Sequence, residues 1–199
     1  MKPYTEHDTR EHLLATGAKL CLNLGFTGMG LSELLRTAEV PKGSFYHYFR
    51  SKEAFGVAML ERHYELYNQQ LQQHFNQKET THRERLLSWF QQSLNYFCQH
   101  SQMVNCLIVK LSAEVCDLSE DMRNALDKGA AQVINHLTSA LQNGRDEKCL
   151  DFPGEAHAQA HMMYALWLGA NLQAKISRNA VPLESAFAHV TKILAEPVS

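Results

Sequence analysis

The stretch Gly43-Ser44-Phe45-Tyr46-His47-Tyr48-Phe49, closed by Ser51-Lys52-Glu53, decides how this chain is read. Upstream, Leu31-Ser32-Glu33-Leu34-Leu35 and Ala38 have helical spacing. Glu39-Val40-Pro41 interrupts it, because proline cannot continue a helix but opens one well. Two short helices, Leu31 to Ala38 and Lys42 to Tyr48, therefore meet at a tight turn, the layout of a helix-turn-helix. The first turns Leu34, Leu35 and Ala38 inward, and Val40 plugs the turn. The second packs Phe45 and Phe49 while leaving Lys42, Ser44, Tyr46 and His47 outside, as a DNA groove requires. Between Arg36 and Lys52, the basic residues Arg36, Lys42, Arg50 and Lys52 stand against Glu39 alone, a local +3 inside a chain of net charge -2. A Tyr-x-Tyr-Phe spacing alone also occurs in plain core packing; the whole string with its local charge is what points to DNA.

Outward from this segment, the rest of the chain reads as helix. With 199 residues, 45% hydrophobic and 20% charged, it has the composition of an ordinary globular protein of one or two packed units, not a disordered one. Leu and Ala far outnumber Val and Ile, which favours an all-α fold. The first helix runs from Glu6 to Leu24 with Leu13, Leu14, Ala18, Cys21, Leu22 and Leu24 on one broad face, and Gly25 stops it. Ser51 caps a fourth helix that reaches about Phe75. Further helices follow from about Thr81 to His100, Val104 to Val115, Ser119 to Gln142, Gly154 to Ser177 and Leu183 to Ala195. Their breaks fall at Asn143-Gly144 and Asn179-Ala180-Val181-Pro182, for about nine helices in all.

Several classes of function are disfavoured. The longest uncharged stretch, Ala156 to Ala174, carries His157, Gln159, His161, Asn171 and Gln173, too polar to span a bilayer. The N-terminus lacks the apolar run of a signal peptide, so a cytoplasmic location is expected. Five cysteines, an odd number without a CxxC pair, suit reduced thiols rather than a disulfide framework. His157 and His161 share a helix face, and Cys98-Gln99-His100 adds donors, but no HExxH or CxxC completes a metal site, and none is assigned. No glycine-rich phosphate loop or GxSxG supports an enzyme or a cofactor; a Cys-dependent transferase is the alternative from a different class.

The string from Gly43 to Lys52, with the order of elements over about residues 8 to 58, resembles the TetR family of bacterial transcriptional repressors. The resemblance implies a helix-turn-helix DNA-binding domain over 1–58, its fourth helix continuing to about 75, and a regulatory and dimerisation domain over 82–199. It implies that the second short helix is the recognition helix, that Lys42, Ser44, Tyr46 and His47 meet the DNA, and that Lys52 holds phosphate. The expected partner is a roughly palindromic double-stranded operator bound by a homodimer. Glu39 stands where the family often has Gly, and Met29-Gly30 where it often has a Thr or Ser pair.

The string Asn105-Cys106-Leu107-Ile108-Val109-Lys110-Leu111-Ser112-Ala113-Glu114 resembles a Gly-Cys-Leu-x-x-x-Leu-x-x-Glu segment of one branch of that family. That branch implies thiol-modifying electrophiles or oxidants as inducers and detoxification genes as targets. If Asn105 caps the helix, Cys106 lies in its first turn, where free N–H groups and the helix dipole stabilise a thiolate. Cys106 is therefore the expected sensor; a small buried hydrophobe is the competing reading. Cys116 and Cys149, near helix ends or loops, are alternative sensors, while Cys21 and Cys98 read as structural. Lys175, in the last turn of its helix, either points to water or supplies charge to Cys106 and condenses with its sulfenic acid. A reversible small-molecule pocket lined by Trp89, Phe97 and Tyr164 is the alternative form of regulation.

Overall fold

Glycine 25 adopts φ 75, ψ 174, a backbone conformation closed to residues with a Cβ, and the first helix loses its regular geometry there. In the computed structural model, which describes residues 6–100 and 106–195, every regular element is helical. The elements are α1 (Glu6–Gly28, regular up to Gly25), α2 (Leu31–Ala38), α3 (Lys42–Tyr48), α4 (Lys52–Phe75) and α5 (His82–His100). There follow α6 (Cys106–Cys116), α7 (Glu120–Asp146), α8 (Ala156–Ser177) and α9 (Val181–Ile193). Among the described residues an isolated bridge pairs Asp151 with Ala195. The all-α expectation holds, and the bounds of α2 and α3 fall where the proline and the aromatic spacing put them.

One expected break is absent. Helix α7 runs through Asn143-Gly144 because Gly144 serves packing rather than turning. A Cβ there would lie 2.7 Å from Leu150 Cδ2 and 3.0 Å from the His82 Cβ. The chain leaves the helix only after Asp146, with Lys148 at φ 55 and its N–H donating to the Arg145 carbonyl. Helix α9 likewise starts earlier than expected, since Pro182 occupies its first turn, where the missing N–H costs nothing.

The described residues pack as two compact units, one within Met1–Glu65 and Cys106–Gly129, the other within Leu66–Asn105 and Ala130–Ser199. Helices α4 and α7 contribute to both. In the first, α1 packs on α2, α3 and α6. Leu13, Leu14 and Cys21 are fully buried on its core face, whereas Leu22 and Leu24, expected there, are exposed. In the second unit, α9 packs on α5 and α8. The core face of α8 is set by Ala156, Ala160, Met163, Trp167, Ala170 and Ala174, all buried at helical spacing. Its other side leaves Met162 and Ile176 each 66% exposed, with Leu172 also open. No helix among the described residues is long and apolar enough to cross a membrane.

Candidate nucleic-acid interface and thiol sites

The helix-turn-helix is built on aromatic packing. Phe45 of α3 is fully buried, with its ring centroid 5.3 Å from that of Phe49 and 5.6 Å from that of Phe55 in α4. Between α2 and α3 the chain turns at Glu39, in the left-handed region at φ 54. The N–H of Glu39 donates to the Arg36 carbonyl and that of Val40 to the Leu35 carbonyl. This is the geometry glycine usually supplies, so the Gly-to-Glu departure places a strained residue in an intact turn. The Met29-Gly30 departure also has a structural consequence: Gly30 is the N-cap of α2 and offers it no side-chain hydrogen bond. Ser51 caps α4 as expected, its Oγ accepting the N–H of Ala54 at 3.0 Å.

With Phe45 inward, α3 leaves Lys42, Tyr46 and His47 exposed and Ser44 half-buried. The Lys42 ammonium lies 5.9 Å from the centre of the Tyr46 ring. Arg36, part of the expected basic patch, is held by Glu33 at 2.7 Å, a partner outside the segment counted from sequence. Lys52 is half-buried and turned back on its own unit: its Nζ donates to the Thr27 carbonyl at 3.3 Å and lies 4.8 Å from the centre of the Phe26 ring. The phosphate role expected of Lys52 therefore starts from an ammonium already anchored.

The turn that Lys52 grips is held from its other side by a residue sequence reasoning passed over. The Glu114 carboxylate, on α6, accepts the Phe26 N–H at 3.1 Å and the Thr27 N–H at 2.6 Å. Burial pushes this carboxyl up, but hydrogen bonds from Thr27 and from the Phe26 N–H, with the Lys110 charge, outweigh it and hold the carboxyl below its usual value. The only sequence signal was the Glu that closes the quoted α6 string.

Among the thiols, Cys106 is the first described residue of α6. Its side chain and the Asn105 cap lie outside the described residues. Cys116, at the other end of α6, is exposed, and Cys149 is half-buried. Cys98 is exposed rather than structural, because the buried stripe of α5 passes through Leu94 and Phe97 and leaves the next position outside. Cys21 is fully buried, and burial first, then the Glu114 charge, pushes its thiol up to about 12 against an opposing effect of Lys52. Lys175 is exposed in the last turn of α8. Trp89 packs on Tyr67, His74 and Phe75, and Phe90 meets Trp167. Trp89, Phe97 and Tyr164 line neither the cleft at Arg50 and Lys128 nor that at Phe152 and His189.

His157 and His161 are both exposed. A donor group missed from sequence is His82, Glu147 and Cys149, whose ligand atoms lie within 4.8 Å of one another. His82 Nδ1 is 2.8 Å from Glu147 and 3.1 Å from the Arg85 guanidinium. Arg85 thus sets a permanent positive charge beside the donor a cation would use, and the group reads as a polar lock at the surface, with only His82 of the three donors buried.

Residues 13–59 match the family described as bacterial regulatory proteins, tetR family, and residues 83–190 that described as tetracyclin repressor-like, C-terminal domain. The chain is 68% identical over 197 residues to the HTH-type transcriptional repressor NemR of Escherichia coli (strain K12), covering 99% of each protein. It is 31% identical over 178 residues to the transcriptional regulator AcuR of Cereibacter sphaeroides, covering 88% of this chain and 80% of the other. Its structure is similar to the crystal structure of the reduced form of E. coli NemR. The TM-score is 0.91 at 64% identity, over 96% of this chain and 100% of that one.

Proposed function

The chain belongs to the TetR family, as a transcriptional repressor close to NemR, and from that premise we propose that it represses detoxification genes in the cytoplasm and leaves its operator when an electrophile or oxidant modifies Cys106. Membership implies operator binding and dimerisation and sets the chain among DNA-binding regulators, not enzymes. The observation that carries the DNA reading is α3: Phe45 anchors it inward, and Lys42, Tyr46 and His47 stand exposed along its outside. In this reading Lys42, Ser44, Tyr46 and His47 meet a roughly palindromic operator whose half-sites lie one helical turn or a multiple apart. Lys52 adds a phosphate contact at the start of α4, contributing affinity more than specificity. The open apolar side of α8 at Met162, Leu172 and Ile176 supports burial against a second copy.

With Asn105 as the cap of α6, Cys106 would lie in its first turn, where free backbone N–H groups and the dipole favour a thiolate, and this supports the sensor reading. A relative studied in a reduced form is consistent with redox-sensitive thiols. If the helices that carry them cross nearby, a sulfenic acid formed on Cys106 by an oxidant would condense with the Lys175 amine, forming an S–N bond and releasing water; thiols would reset the switch. Cys116 and Cys149 are the alternative sensors. Operator titration across a salt series tests the DNA reading: Lys52→Ala should weaken binding to every duplex and flatten the salt slope by about one unit, with any further loss on the operator reporting its hold on Thr27. An unchanged affinity and slope would contradict the phosphate role.

A further inference from the structure

The turn between α1 and α2 is a junction within its unit. Gly25 reverses the chain at φ 75, and a Cβ there would lie 2.7 Å from Glu114 Oε2, so only glycine lets the carboxylate approach. The Phe26 ring lies against α4 and the start of α7: a Cβ on Gly56 would meet it at 2.7 Å and Met122 Cε at 2.8 Å. Met29, fully buried, closes the turn with its N–H on the Gly25 carbonyl at 3.2 Å. Two polar grips complete it: Glu114 takes the N–H groups of Phe26 and Thr27, and Lys52 donates to the Thr27 carbonyl. Phe26 and Thr27 are thus pinned by one side chain from α6 and one from the start of α4.

We propose that Glu114 is a positioning residue for operator recognition: by gripping the Phe26 and Thr27 amides it fixes where α2 begins, and so makes α6 a holder of the helix-turn-helix. The two oxygens of an ionised carboxylate match two successive N–H groups, whereas an amide offers one acceptor and turns its NH2 towards the second N–H. Gly30 gives α2 no side-chain cap, so the start of α2 is held by buried Met29 and by these two polar grips. Glu114 lies eight residues after Cys106 on the same helix, about 12 Å of rise, so displacement of α6 from its first turn would reach this grip directly. The proposal rests on the DNA reading given above and is independent of which thiol senses.

Simple electrostatics and positioning predict opposite signs. Removing a negative charge from a DNA-binding unit should tighten binding to any duplex, while loss of the grip should weaken binding to the operator alone. The test is fluorescence anisotropy of Glu114→Gln on an operator duplex selected with the wild type and on a random duplex of equal length. Thermal melting checks the fold, and Tyr46→Ala runs alongside. The expected result is at least a tenfold loss on the operator with no loss on the random duplex, partly recovered by Glu114→Asp. Operator affinity within twofold of wild type, or equal loss on both duplexes, overturns the proposal. Full operator affinity in Tyr46→Ala would count against the DNA reading instead. If Glu114→Gln does not fold, Glu114→Asp and wild-type amide exchange decide. Phe26 and Thr27 N–H groups exchanging as fast as exposed amides, or Glu114→Asp losing equally on both duplexes, overturns it; slow exchange with loss confined to the operator upholds it.

Discussion

Phe55 of α4 lies directly on Gly17 of α1: a Cβ at position 17 would overlap the ring, with Cε1 at 2.8 Å. The contact lets α1 approach the Phe45, Phe49 and Phe55 cluster that orients α3. In an exposed helix, Gly→Ala gains about 1 kcal/mol; here overpacking of about 1–3 kcal/mol opposes it. Gly17→Ala is therefore expected to lower stability in urea denaturation. Gly43→Ala, where nothing lies within 4 Å, should not lower it.

Glu39 stores the opposite kind of strain. At φ 54 it pays for a left-handed conformation that glycine adopts freely, in a turn whose hydrogen bonds are already formed. Glu39→Gly is expected to stabilise the protein by about 1 kcal/mol, a rise in melting temperature of about 2–4 °C for a chain of this size. A lowered melting temperature would show that the Glu39 side chain contributes more than its backbone costs.

Much of this was legible in the sequence, and the failures have physical causes. The bounds of α2 and α3 were fixed by local chemistry, Pro41 and the aromatic spacing, which neighbours do not override. Gly144 misled because a glycine that admits Leu150 looks, in one dimension, like a glycine that makes a turn. Cys98 misled because it ends an apolar stripe whose last residue rotates past the core. Glu114 could not be found by periodicity, since its partners, the amides of Phe26 and Thr27, carry no residue-type signal. Arg36 looked free for phosphate because its partner Glu33 lies just outside the basic segment.

Cys21 should behave as an inert thiol in the folded protein. Its folded value, about 12, lies above the 9.0 of an unperturbed thiol, so the unfolded chain loses this proton first as pH rises. Its contribution to stability is complete below pH 9 and is lost as pH climbs towards about 12. At pH 8 a thiol-reactive chromophore should label the exposed Cys98 and Cys116 within minutes and Cys21 only after denaturant is added. Rapid labelling of Cys21 in the native protein would contradict the burial of this site.

The open side of α8 makes the expected dimer testable. Ile176 and Met162, each 66% exposed, are apolar side chains left open by the described residues. Ile176→Glu is expected to convert a dimer into a monomer in sedimentation velocity at micromolar concentration, with helix content unchanged. A wild-type monomer, or a variant that remains fully dimeric, would place self-association elsewhere.

Release of the operator through Cys106 is tested by operator binding of wild type and Cys106→Ser before and after N-ethylmaleimide, with the adducts located by mass spectrometry. Wild type is expected to carry the adduct on Cys106 and lose the operator, while Cys106→Ser stays bound under the same treatment. Release of Cys106→Ser to the same extent as wild type would contradict it.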